Sequence, residues 1–237
     1  MELESPLNPG STIGIIGGGQ LGRMLAMAAR QMDYKTIILD PDSNCPAGQV
    51  ADGVIRSEYS DKSASSELAR LADVVTYEFE NIDAGSVSNA AKHKPVRPSA
   101  SVLRTTQNRF HEKKALLKAG IPVANFRKVD SLRDLEDAAS VLGYPMVLKT
   151  ATQGYDGKGQ SIIKGEHDLA IAYDQLNVGN VELIVEQFVS FKAEVSTICA
   201  RTADGITATF DPSENIHQNH ILDMSIVPAR IEEAVTE

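Results

Sequence analysis

The sequence predicts an α/β protein whose second half turns to α+β, and three observations carry that prediction. Strand-like and helix-like segments alternate through the first hundred residues. A glycine-rich stretch at 150–160 separates two short apolar runs, and beyond Glu194 alternating runs meet at an Asp204-Gly205 turn signal. Alternation of the first kind builds a parallel sheet flanked by helices, whereas runs joined by tight turns build antiparallel sheets.

Taken in order, Thr12 to Ile16 reads as a strand, Gln20 to Met32 as a helix and Lys35 to Leu39 as a second strand, the opening of a βαβ unit. A helix over Lys62 to Leu71, a strand over Asp73 to Tyr77 and a helix over Ala84 to Ala91 continue the pattern. Lys94-Pro95-Val96-Arg97-Pro98-Ser99 breaks it, so a first domain is expected over 1–103. A helix from Asn108 to Ala119 stops at Gly120 and Ile121-Pro122. A small α+β unit at about 124–188 follows, with a helix at Leu132 to Leu142, strands at 146–149 and 160–163, a helix at Asp168 to Leu176 and a strand at Val181 to Val185. Such a unit is suited to move as a lid within a second domain spanning 104–237. Glu194 to Ala200 and Ile206 to Phe210 then read as strands joined by a two-residue hairpin turn at Asp204-Gly205.

A chain of 237 residues that is 42% apolar buries enough surface for one to three globular domains. Its 23 basic residues against 32 acidic ones leave a net charge of −9, and no long basic run interrupts that balance, which argues against a general nucleic-acid or anionic-membrane binder. No basic segment followed by an apolar stretch opens the chain, and nowhere do about 18 apolar residues run together, so a cytoplasmic protein is expected. Cys45 and Cys199 are too few and too far apart for a disulfide framework or a zinc site. Cys199, in the alternating run from Val195, is expected in a core; Cys45 sits in a Pro/Asn/Ser loop and carries no clear signal.

The chemistry concentrates in a few motifs. Gly154, Gly157 and Gly159 let backbone N–H groups turn toward an anion, with Lys149 at the end of the preceding strand and Lys158 inside the loop to supply charge; a glycine-rich hairpin tip is the plainer alternative. Gly17-Gly18-Gly19-Gln20-Leu21-Gly22 fits G-x-G-x-x-G between a strand and a helix, with Asp40 ending the next strand. That pattern makes an NAD-dependent oxidoreductase the rival reading, although the same turn serves any α/β domain whose first loop packs tightly. Glu186-Gln187-Phe188-Val189 has the form of a hinge presenting a carboxylate and backbone groups to a flat base, or simply of a strand terminus. Glu194 is placed to accept from two ribose hydroxyls, or to stand as a surface strand residue. Asp211 to His220 reads as a polar loop; His217 and His220 lack a suitable third metal ligand nearby, which leaves hydrogen bonding to an anionic intermediate as the functional reading. Tyr77-Glu78-Phe79-Glu80-Asn81 places carboxylates at a strand end, where α/β domains bind ligands.

The glycine loop after a strand lysine, the Glu-x-x-Val hinge and the following glutamate together resemble the ATP-grasp superfamily. Within it, Ile15 to Met24, Tyr77 to Asn81, Gly154 to Gln160, Glu214-Asn215-Ile216-His217 and Ile226 to Arg230 are similar to the 5-(carboxyamino)imidazole ribonucleotide synthetases of bacterial purine biosynthesis. The resemblance implies a Rossmann-like pre-ATP-grasp domain followed by an incomplete ATP-grasp domain. It also implies an activity in which ATP phosphorylates bicarbonate to carboxyphosphate and the carboxyl group passes to the amine of aminoimidazole ribonucleotide. Position by position, it assigns Arg109 and Lys149 as basic ATP contacts and Gly154, Tyr155, Asp156, Gly157, Lys158, Gly159 and Gln160 as the closing loop. Glu186, Gln187, Phe188 and Val189 become the adenine hinge and Glu194 the ribose ligand, while His217, with Asn215, Lys149 and Lys158, stands at the phosphate end. Gly19, Gln20, Leu21, Glu78, Asn81 and Tyr155 fall on the ribonucleotide side, with no NAD involved. Magnesium accompanies ATP, its carboxylate ligands expected beyond residue 237, and a homodimer is expected at full length. Two departures stand out: Gln153 occupies a position where the family has glycine, and the chain stops at Glu237 before the family's metal ligands and third domain. A fragment, or a truncated non-catalytic nucleotide-binding relative, is therefore expected to turn over poorly by itself.

Overall fold

The computed structural model describes residues 6–154, 158–179 and 181–236. They form two compact units, Met1–Glu112 and Lys113–Glu237.

The first unit is a parallel sheet with helices packed on it. Its elements are β1 (Thr12–Ile16), α1 (Gln20–Gln31), β2 (Lys35–Asp40), β3 (Gly53–Arg56), α2 (Lys62–Leu71), β4 (Val74–Tyr77), α3 (Ala84–Ala90), α4 (Ala100–Thr106) and the start of α5 (Arg109–Lys118). The strand order is β3-β2-β1-β4, all parallel, so β1 lies between strands reached by crossovers in opposite directions. That reversal opens a crevice at the carboxyl ends of β1 and β4, the usual ligand position in such sheets. Ile16, Leu39, Leu68, Val75, Val87 and Leu103 bury one face, and Ile15, Ala26, Ile38, Cys45 and Ala47 the other. Each fully buried Leu, Ile or Val contributes about 1.5–3 kcal/mol relative to exposure. Helix starts are fixed locally: Asp61 accepts from the N–H groups of Ser63 and Ala64, and Asp83 from that of Ser86.

Two elements of this unit are absent from the sequence reading. β3 is a four-residue edge strand with little apolar alternation, held by register with β2, and α4 is a seven-residue helix capped by Ser99 directly after the proline break. Cys45, unassigned by its loop context, is buried against Gly18; a Cβ at Gly18 would stand 2.4 Å from its sulfur.

The second unit carries a four-stranded antiparallel sheet in the order β5-β8-β6-β7, built from β5 (Phe126–Val129), β6 (Met146–Thr150), β7 (Gln160–Ile163) and β8 (Leu183–Gln187). Helices α6 (Leu132–Leu142) and α7 (Leu169–Leu176) cover one face, burying Leu135, Met146, Leu148, Ile163, Leu183 and Val185. Ser131 and Asp134 cap α6 reciprocally: Ser131 Oγ accepts from the Asp134 N–H, and the Asp134 carboxylate accepts from the Ser131 hydroxyl and the Asp130 N–H. β5, too short and too polar to show periodicity, exists by pairing with β8.

Beyond β8 the alternating run from Glu194 divides between two sheets. β9 (Glu194–Ser196) joins β12 (Ser213–Gln218) and β13 (Ile221–Ile226) in the order β13-β12-β9, while β10 (Cys199–Arg201) pairs with β11 (Thr207–Thr209) in a two-stranded sheet. A four-residue helix α8 (Glu233–Thr236) ends the described chain. Three expectations are corrected here. Cys199 is exposed, because β10 and β11 have no burying layer among the described residues. The β10–β11 hairpin closes at Thr202, whose N–H donates to the Ile206 carbonyl, so three residues rather than two form its tip. Most of 211–220 is the strand β12 and not a loop; its turn is Asn219-His220, both at positive φ (51° and 65°), the backbone that a two-residue hairpin joining right-twisted strands requires.

Candidate functional site

In the first unit the glycine motif lies at the end of β1 and is occupied from within the protein. The Gly18 N–H donates to Asp40 Oδ2 (2.8 Å) and the Gly19 N–H to Glu78 Oε2 (2.7 Å). Asp40 is buried and also accepts from the Asp42 N–H (2.9 Å) and the Tyr59 hydroxyl (2.6 Å). Burial first, then the bond to Asp40 and that carboxylate's charge, push the Tyr59 phenol well above its ordinary value. Close approach requires the glycines: a Cβ on Gly19 would stand 2.5 Å from Glu78 Oε1, one on Gly17, at φ +102°, would stand 2.9 Å from Glu78 Cβ, and one on Gly22 would stand 2.6 Å from the Gly17 carbonyl oxygen and 2.9 Å from Glu78 Oε2.

This arrangement argues against the dinucleotide reading. Amides that would meet a pyrophosphate already meet carboxylates, and an anion placed there would face Asp40 and Glu78 at close range. What remains is a cavity of about 320 Å³ lined by Gly18, Gly19, Asp42, Pro46, Tyr59 and Glu78. Its carboxylates, set among the apolar Cys45, Pro46 and Phe79, suit a ligand that brings hydroxyl or amine donors. Gln20 and Leu21, the first residues of α1, and Asn81, after β4, are exposed nearby in sequence. Arg109 opens α5 at the end of this unit.

In the second unit the β6–β8 register brings two predicted residues together. Lys149 pairs with Ile184 and Val147 with Glu186, so Lys149 and Glu186 are diagonal neighbours on one face, opposite the face covered by α6 and α7. Lys149 Nζ donates to Glu186 Oε2 at 2.9 Å, and the glutamate is 7% exposed. After β8 the backbone leaves the sheet: the Gln187 N–H is taken by the Asn125 carbonyl and the Phe188 N–H by the Pro145 carbonyl. Val189, half exposed, has no hydrogen-bond partner for its N–H among the described residues, so the last amide of the hinge is open to a ligand.

The base of the glycine loop is closed by the Thr150 N–H donating to the Gly159 carbonyl (2.9 Å) and by the Lys149–Gln160 register of β6 and β7. Gly154 and Gly159 stand at φ +83° and +69°, and a Cβ on Gly159 would meet Thr150 Oγ1 at 2.8 Å. Lys158 is exposed. Tyr155, Asp156 and Gly157 lie outside the described residues. Gln153, the non-glycine departure, stands at φ +60°, which explains why glycine is favoured there.

β12 gathers the remaining group. His217 Nδ1 lies 3.6 Å from Glu194 Oε1, and Asn215 pairs with Glu194 across β12 and β9. Asn215 donates to Ser196 Oγ and accepts from the Ser225 hydroxyl, both at 2.9 Å, so its amide is fixed. The register of β12 on β13 shifts between Ile216 and His217, a bulge that re-aims the histidine. Glu214 is engaged bidentately by Arg230 (2.8 Å for each bond), which holds its carboxyl below the usual range. Among the described residues no group of three or more His, Cys, Asp or Glu side chains comes together to hold a metal ion.

Sequence reasoning missed Lys113, whose Nζ is 3.4 Å from Glu186 Oε1. Its signal was position: it stands four residues after Arg109 on one helix, and so on the same face.

Residues 114–237, more than half of the chain, match the ATP-grasp domain. The chain belongs to the ATP-grasp family. Residues 11–107, ahead of the ATP-grasp match, match the ribonucleotide synthetase preATP-grasp domain. The chain is 46% identical over 229 residues to the N5-carboxyaminoimidazole ribonucleotide synthase of Bacillus subtilis, covering 97% of this chain and 60% of that one. Among solved structures, an ADP complex of an N5-carboxyaminoimidazole ribonucleotide synthetase superposes with a TM-score of 0.93 at 49% identity, over 99% of this chain and 62% of that one. The Aspergillus clavatus synthase in complex with ADP and 5-aminoimidazole ribonucleotide gives 0.87 at 30% identity, over 96% and 60%. The ATP-grasp chain described here thus spans about 60% of the length of the relatives it matches. No helix among its described residues is long and apolar enough to cross a membrane.

Proposed function

We propose that this chain carries the nucleotide-binding and ribonucleotide-binding parts of an N5-carboxyaminoimidazole ribonucleotide synthase. The γ-phosphoryl group of ATP passes to a bicarbonate oxygen, releasing ADP and forming carboxyphosphate. Carboxyphosphate breaks its C–O(P) bond to phosphate and carbon dioxide, and the exocyclic amine of 5-aminoimidazole ribonucleotide adds to that carbon and loses a proton to give the carbamate. The observation that carries the reading is the Lys149–Glu186 pair beside the open Val189 amide: one cation for phosphate, with one acceptor and one donor for the adenine edge.

Each residue then has a task set by its chemistry. Lys149 is held by Glu186 through one of its three donors and turns its ammonium to the phosphate oxygens when the nucleotide binds. Glu194 accepts from ribose hydroxyls, and His217 beside it serves the phosphate end with Asn215, while Lys158 and Gly159, at the described end of the glycine loop, serve the phosphates. Excluding water there protects carboxyphosphate from hydrolysis. Glu78, held by the Gly19 amide, is the acceptor for the amine or hydroxyls of the ribonucleotide, and Gln20, Leu21 and Asn81 belong to the same proposed subsite; the Tyr155 assigned to it by resemblance lies outside the described residues. Magnesium as the partner of ATP, a cytoplasmic location and a homodimer of the whole protein belong to the same proposal.

Equilibrium dialysis of the 237-residue chain against ATP, 5-aminoimidazole ribonucleotide and NADH tests it. Binding of the first two without NADH is expected, and tight NADH binding with none for ATP overturns the proposal.

A further inference from the structure

Glu186 lies between two ammonium groups, Lys149 at 2.9 Å from Oε2 and Lys113 at 3.4 Å from Oε1. The Lys113 side chain is 17% exposed, and its Nζ stands 5.8 Å from the centre of the Phe126 ring, on the β5 residue that pairs with Glu186. Burying a second lysine costs desolvation, so its position calls for a reason.

The proposed function supplies one. Lys149 has two claimants, the Glu186 carboxylate and a nucleotide phosphate, and Glu186 likewise has two, Lys149 and the 6-amino group of adenine. When Lys149 turns to phosphate, Glu186 would be left a buried carboxylate without a counter-charge unless another cation holds it. Lys113 is that cation, and it grips the other oxygen.

We propose that Lys113 is a positioning residue for the nucleotide base: it anchors Glu186 Oε1 so that Oε2 can exchange the Lys149 ammonium for the adenine 6-amino group. The inference rests on the proposed ATP site and deepens it. A carboxylate only accepts hydrogen bonds, and a 6-oxopurine presents an acceptor at the same place, so Lys113 acts on the choice between adenine and hypoxanthine. A residue that merely supported the fold would affect both bases alike.

The test is calorimetric titration of the whole 237-residue chain with ATP and with inosine triphosphate, for the natural protein, Lys113→Met and Lys113→Arg. Lys113→Met is expected to weaken both nucleotides, since either draws Lys149 from Glu186, and to weaken ATP about tenfold more than inosine triphosphate, because only adenine offers a donor to a correctly held Oε2; Lys113→Arg is expected to restore most of the preference. Should the methionine variant not fold, Lys113→Gln, which keeps a donor without the charge, gives the same comparison. Equal weakening of both nucleotides, or no change in either, overturns the role of Lys113. A natural protein that binds neither nucleotide overturns the ATP site itself.

Discussion

Removing the Lys149 ammonium, as in Lys149→Met, separates its structural and functional tasks. At 2.9 Å from Glu186 and an effective dielectric of about 20, the gross attraction is about 6 kcal/mol, and that of Lys113 at 3.4 Å is about 5 kcal/mol. Desolvation offsets most of each, and loss of one partner of a buried pair costs about 3–5 kcal/mol when the other charge is left alone. Here Lys113 remains, so about 1.5–2.5 kcal/mol of stability should be lost, read as a lower urea midpoint at unchanged slope. Loss of one charge-assisted phosphate contact should weaken ATP by about 1.5–3 kcal/mol, or about ten- to hundredfold, in a calorimetric titration. Lys113→Met/Lys149→Met should cost more stability than the two single changes summed, because only then is the Glu186 carboxylate left without a counter-charge, while ATP affinity stays low. Unchanged ATP affinity in Lys149→Met would remove this lysine from the site, whatever happened to stability.

Gly18→Ala should destabilise the chain by about 1–3 kcal/mol through the 2.4 Å approach to the Cys45 sulfur, and adding Cys45→Ala should recover most of that; strictly additive midpoints would refute the contact. Gln153→Gly should raise thermal stability slightly, by about 0.5–1 kcal/mol, since φ +60° is strained for glutamine; a lower midpoint would contradict that backbone. The raised Tyr59 pKa has a definite sign: the fold favours the neutral phenol, so its contribution is complete below the unfolded value of about 10 and is lost as pH rises above it. Tyr59→Phe should therefore flatten the alkaline fall in stability, and an identical profile for the two proteins would exclude the Tyr59–Asp40 bond as its source.

The amino-acid sequence by itself determined what depends on neighbours along the chain. The strand Thr12–Ile16, the helices Lys62–Leu71 and Leu132–Leu142 and the β6–β7 pair stand where periodicity, caps and glycines place them. The glycine loop with its lysines and the Glu-x-x-Val segment stand out by residue type alone, and the phosphate and base roles proposed for them rest on that chemistry. Tertiary structure decided everything that requires a second segment. β5 exists because β8 offers it a partner, and Cys199 is exposed because alternation makes a strand but cannot supply the layer that buries it. His217 reaches Glu194 because β12 pairs with β9, where Asn215 stands opposite Glu194, with a bulge between Ile216 and His217 turning the chain. Above all, Gly17 to Gly22 carries the same local signature whether it cradles a pyrophosphate or a carboxylate, since both demand backbone amides without Cβ atoms. Only the approach of Glu78, with a separation of 59 residues from Gly19, and of Asp40, with 22 from Gly18, shows that the anions held there belong to the protein itself.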